Sequence, residues 1–239
     1  MMRSIEPRDR DFTGFRLRGR DVTRLESFSD AVFGFALTLL VVSFDVPKSF
    51  NDLMMTMRGF PAFAICFLFL ALIWNGHYKF CRRYGLDDGT SRFLTCAMLF
   101  LVLFYVYPLK FLFNLSITGL LFGAAPARIT GPEFSTLLVI YGLGFAAVYA
   151  ASGLLYVHAY RLRDALELNE LERFDTRYQI FRLLSLVAVG LVAASLACIP
   201  ALRNWSALLY LLLFPTLRTS RVIHRRRRVR YLPNATVAQ

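Results

Sequence analysis

Long apolar stretches recur along this 239-residue chain, each bounded by arginines, and they limit its fold more than any other feature. A ~30 Å hydrocarbon core takes about 20 apolar residues of helix to cross. Inside it every backbone N–H and C=O must be satisfied within the segment, which leaves helices for runs of this length. Six stretches approach that length, at residues 27–46, 59–78, 93–113, 134–156, 180–200 and 204–217. The sixth is short and carries Pro215, which predicts a kink or partial embedding. A hydrophobic share of 56% and a mean hydropathy of +0.49 exceed ordinary globular usage. The expected fold is all-α, a polytopic membrane protein with six transmembrane helices. Residues 1–26 form a cytoplasmic N-terminal arm, 27–217 the membrane domain and 218–239 a basic cytoplasmic tail.

Orientation follows from the basic residues. Seven lie in 1–26, four in 79–92, five in 161–182 and seven from Arg218 onward, all on one side of the expected spans. Lys48, Arg58, Lys110, Arg128 and Arg203 fall on the other. Positive charge collects on the cytoplasmic side, so both termini are expected there. The net charge of +12 and the run Arg225 to Arg228 would suit nucleic acid. Just beyond a membrane helix, however, such a run reads as an anchor against anionic lipid headgroups, and no nucleic-acid partner is expected. Residues 1–26 mix Arg with Glu and Asp around no apolar core, so no signal peptide is expected and the arm is read as partly disordered.

The first span opens on Phe28-Ser29-Asp30, and a carboxylate at such a place marks a site with a partner. At 100° per residue, Phe28, Ala31, Phe35, Thr38, Leu39 and Val42 fall within about 60° of one line, while Ser29 and Asp30 point elsewhere. One face is thus an apolar ladder with a single hydroxyl. That pattern alone suits a packed core as well as a pore. The second span ends on Trp74, Asn75 and His77, at the depth of Ser29 and Asp30. Polar groups at that depth need hydrogen-bond partners, so the two clusters are expected to meet.

Elsewhere the residues carry structure. Residues 48–58, with Met54, Met55 and Met57, read as an outer loop or interfacial helix, and the turn 86–89 as a helix cap. Pro108 is expected to bend the third span and Lys110 to snorkel outward. Residues 114–133 read as the longest outer loop and 161–179 as a solvated, salt-bridged helix. Small residues in the fourth and fifth spans predict close helix packing. Cys66, Cys81, Cys96 and Cys198 have no metal-ligand spacing, and no nucleophile-and-base set, phosphate loop or His-Glu-x-x-His is present. No enzyme, catalytic residue, metal site or cofactor is expected.

Arg24-x-x-x-Phe28-Ser29-Asp30, followed by Ala-Val-Phe-Gly-Phe-Ala-Leu-Thr-Leu-Leu-Val-Val, resembles the first helix of the transmembrane protein 175 family, the lysosomal potassium channels and their six-helix prokaryotic relatives. Trp74-x-x-His77 and the overall layout extend the resemblance. The resemblance implies a homotetramer in a bacterial inner membrane, with a central pore lined by the first helix and potassium as permeant. It implies a narrowest layer at Phe35, a hydroxyl layer at Thr38 and further apolar layers at Leu39 and Val42, with no carbonyl-lined filter. Arg24, Phe28, Ser29, Asp30, Trp74, Asn75 and His77 are implied as a polar scaffold around that helix. Two positions depart from the family's pattern: Ala31 stands where Gly is usual, and Phe35 where Ile or Leu is usual. A weakly selective proton or cation leak, or a non-conducting scaffold plugged by Phe35, are the alternative readings.

Overall fold

A computed structural model describes residues 10–11, 13–42, 46–123, 129–203, 205–206, 209–210, 222 and 224. Among the described residues six α-helices follow one another: α1 (Arg24–Val42), α2 (Phe50–Arg58), α3 (Phe60–Tyr84), α4 (Gly89–Phe122), α5 (Gly131–Arg161) and α6 (Glu170–Ala197). Five of them, all but the nine-residue α2, are long and apolar enough to cross a membrane. Most of the sixth expected span, 204–217, lies outside the described residues, as does the Arg225 to Arg228 run.

Local chemistry sets the helix ends. Glu26 donates its backbone N–H to Thr23 Oγ1 at the start of α1. Asp88 caps α4 through Thr90 N–H, and α5 and α6 each open with a reciprocal capping box, Thr130 with Glu133 and Asn169 with Glu172. Gly85 closes α3 at φ +60°, a conformation that costs glycine little.

Small residues hold α5 to α6. A Cβ on Gly142 would lie 2.8 Å from the Gly190 carbonyl oxygen, and one on Gly190 2.9 Å from that of Gly142, so the two backbones touch. With hydrocarbon on the outside, such contact replaces the hydrophobic drive that water would supply. The chain then steps sideways: α4 packs on α5, α3 on α4, and α1 lies against both α3 and α4. Of the sixth expected span, Tyr210 packs edge-on to Tyr141 and Phe145 of α5, with ring centroids 5.1 and 5.3 Å apart.

Three expectations need correction. The outer loop expected at 114–133 shrinks, because α4 runs through Pro108 to Phe122 and stops only at Gly123, φ +69°. Proline removes one N–H without ending a membrane helix whose neighbours support it. The charged segment 161–179 is not one solvated helix: 162–167 turn, α6 begins at Glu170, and Glu172 is buried. Of the arm read as partly disordered, residues 11 and 13–20 are docked on the helices, with Phe15 0% exposed against Tyr84.

Candidate pore helix and its polar seam

The two faces of α1 differ sharply. Ser29, Phe33, Ala36 and Leu40 are buried against α3 and α4. Phe28, Ala31, Phe35, Thr38 and Val42 are exposed, and Leu39 half-buried, so the predicted ladder faces away from the rest of its own chain. Phe35 is 60% exposed at the middle of that face. Thr38 Oγ1 donates to the Gly34 carbonyl at 3.0 Å, so the hydroxyl proton is spent inside the helix and the oxygen lone pairs remain for an outside donor or cation.

The seam between α1 and α3 is polar. Trp74 donates its indole N–H to Asp30 Oδ1 at 2.7 Å. Ser29, fully buried, donates its hydroxyl to the Leu25 carbonyl at 2.7 Å. That leaves the serine oxygen as an acceptor for His77 Nε2, 3.2 Å away, so the Nε2–H tautomer fits here. Cys81 Sγ lies 3.6 Å from the same nitrogen. One helical turn of α3 thus holds two successive residues of α1.

Other predicted members of the cluster stand apart. Arg24 is exposed and its side chain makes no hydrogen bond among the described residues, and neither does that of Asn75. Phe28 is 52% exposed on the outward face, away from His77.

Lys110 plays a part that spacing along the sequence does not reveal. Its ammonium donates to the Leu40 carbonyl at 3.2 Å, close to the end of α1. The last carbonyls of a helix lack intrahelical donors, and a cation there also opposes the helix dipole. α1 has no basic residue in its own last turn, so α4 supplies one. A lysine two residues past a proline was the only signal, and it fits an interfacial anchor equally well. Among the described residues no group of three His, Cys, Asp or Glu side chains could hold a metal ion.

Comparison with known proteins extends these observations. Residues 24–108, which span α1, α2, α3 and α4 as far as Pro108, match a family described as "Endosomal/lysosomal potassium channel TMEM175". A potassium channel of Marivirga tractuosa is 40% identical over 214 residues, 84% of this chain and 87% of its own length. A Streptomyces collinus potassium channel is 25% identical over 53% of this chain and 62% of its own. Among solved structures, the potassium channel MtTMEM175, crystallised as a T38A variant with a nanobody–MBP fusion protein, superposes with a TM-score of 0.79. It is 35% identical, over 92% of this chain and 99% of that one.

Proposed function

The chain belongs to the TMEM175 family of potassium channels, a membrane family of channels and not of enzymes, and on that premise we propose that it conducts potassium through a central pore lined by α1. Four copies surround the axis in a bacterial inner membrane, with both termini in the cytoplasm. The observation that carries this reading is the outward face of α1, where Phe35 and Thr38 stay exposed while the opposite face is buried.

The chemistry is that of a narrow apolar pore. A cation meeting a ring of four Phe35 side chains must shed part of its hydration, which is costly, so this ring sets conductance. Phenyl faces repay some of that cost through cation–π attraction when the rings turn aside. One turn outward, four Thr38 oxygens, with their protons held by Gly34 carbonyls, present lone pairs to the dehydrated ion. Leu39 and Val42 keep bulk water from the layers beyond. Ser29, Asp30, Trp74 and His77 hold α1 at the depth where these layers align, and Lys110 holds its outer end.

Flux from liposomes containing the purified protein tests the reading, with a potassium gradient and then a sodium gradient. Potassium ahead of sodium, with flux raised by Phe35→Ala, is the expected result. No flux from the wild type or from Phe35→Ala overturns the pore and favours a non-conducting scaffold. Equal flux of both ions favours an unselective leak.

A further inference from the structure

The cytoplasmic arm is built as a strap. Asp11 folds it into a tight turn, accepting from the backbone of Thr13 at 2.8 Å and of Phe15 at 3.1 Å. The same carboxylate takes two bonds from the Arg83 guanidinium at the end of α3, at 3.1 and 2.7 Å. Phe15 is seated between that guanidinium, 4.7 Å above its ring, and Tyr84. Further on, Gly19 donates its N–H to the Arg82 carbonyl at 3.1 Å, while Arg82 donates back to the Arg20 carbonyl at 2.8 Å. A Cβ on Gly19 would collide with the carbonyl of Cys81.

A second set of contacts reaches α6. Glu172, 1% exposed, accepts from the Arg16 backbone at 2.8 Å and from Arg18 Nη2 at 2.7 Å. Arg18 also donates to the carbonyls of Leu166 and Glu167, at 2.8 and 3.3 Å. Glu167 is the non-glycine residue with positive φ, 49°, among the described residues, and this backbone strain sits at the guanidinium seat. Only Gly19 to Val22 separate Arg18 from Thr23, which caps α1.

We propose that residues 11 and 13–23 are a strap that positions the cytoplasmic end of α1, with the Arg18–Glu172 pair as its latch. The latch ties the start of α1 to the α5–α6 turn, while α1 itself packs on α3 and α4. A buried pair broken at one partner leaves the other charge uncompensated, so losing either residue releases the whole segment. Arg18 and Glu172 are positioning residues: they touch no ion, and they act through the Thr23 cap. The effect on conduction rests on α1 being the pore helix, whereas the effect on the protection of α1 does not.

The test uses the full chain in nanodiscs and liposomes, with Glu172→Gln, Arg18→Gln and Arg18→Lys. Gln at the third position of α6 still completes a capping box, so Glu172→Gln removes the latch charge and spares the helix start. Expected is exchange of backbone amides about tenfold faster, both in residues 13–20 and in the first turn of α1. Potassium preference over sodium falls by about threefold or more. Arg18→Lys, which keeps charge but loses the planar fork, falls between. The Arg18→Gln, Glu172→Gln double variant is no worse than either single one. Faster exchange in the strap with α1 unchanged overturns the proposal, as does unchanged exchange in both. If wild type and Phe35→Ala carry no flux, the pore reading falls, and the exchange in α1 decides the strap by itself.

Discussion

Trp74 Nε1 donates to Asp30 Oδ1 at 2.7 Å across the seam between α3 and α1, on the rim of the chain, while the Ser29–His77 contact beside it is fully enclosed. The two contacts therefore differ in what their loss exposes. Asp30→Ala removes a charge-assisted bond that water can partly replace, a loss of about 1 kcal/mol. Ser29→Ala strands a buried imidazole N–H and the carbonyl contact beside it, which costs about 1–3 kcal/mol. Thermal unfolding in detergent is expected to rank Ser29→Ala below Asp30→Ala, both below wild type. If the proposed tetramer forms, its fraction on size exclusion should fall in the same order. Protein that does assemble keeps its potassium preference. Altered selectivity in a normally assembled Asp30→Ala would assign the carboxylate to the ion path instead.

Thr38 offers a sharper test of ion preference than of stability. Its hydroxyl lies on the exposed face and bonds only its own helix, so Thr38→Val keeps shape and removes the oxygen. Losing a ring of such ligands is expected to lower potassium preference over sodium about fivefold, equivalent to about 1 kcal/mol. Thr38→Ser restores it. Bi-ionic flux in liposomes reads this directly, and equal preference in Val and Ser variants would remove Thr38 from the ion path.

Much of this fold was legible because a bilayer simplifies the problem. Length and hydropathy place five of the six expected spans, since backbone in hydrocarbon has few options. The meeting of Ser29 and Asp30 with Trp74 and His77 was legible for the same reason, as polar groups at one depth have few partners to choose from. Arg24 and Asn75 share that stretch of sequence but not its contacts, because helix rotation, which spacing gives only coarsely, points them elsewhere. The arm was misread for a physical reason too. Seven basic residues in 1–26 look like a solvated segment, yet Phe15 is buried and Arg18 is paired with Glu172, a partner 154 positions away. Nothing local in the sequence announces a long-range buried pair. The end of α4 was missed because the expected span stops at 113, about the length a bilayer requires, whereas the helix continues to Phe122.

Gly142 and Gly190 make the α5–α6 contact, and each is predicted to tolerate no side chain. Gly142→Val drives a Cβ toward the Gly190 carbonyl and the Ala194 backbone, neither of which can move without the helix. The expected cost is about 1–3 kcal/mol, as for other overpacked cores. Gly153→Ala on the same helix is a control, since its Cβ would meet Leu183 at an ordinary 3.6 Å. A thermal midpoint lowered by Gly142→Val and unchanged by Gly153→Ala is the expected pair of outcomes.

Acid is expected to undock the strap through Asp11. Burial alone would raise this carboxyl, but the Thr13 hydrogen bond, the Arg83 guanidinium and the Phe15 N–H outweigh it and hold the group below its ordinary value of 3.8. A carboxylate with a lowered value in the folded chain contributes stability that is fully present above 3.8 and is lost as pH falls through the lower value. Pepsin, which cuts at phenylalanine and works in acid, reports the docking of Phe15. In nanodiscs, wild type should resist cleavage at Phe15 at about pH 4.5 and yield progressively below 3.8. Asp11→Asn keeps the shape but loses the charge that faces Arg83, so it should already be cut at about pH 4.5, with little further change on acidification. Cleavage of wild type and Asp11→Asn at the same pH would show that Asp11 does not hold the strap.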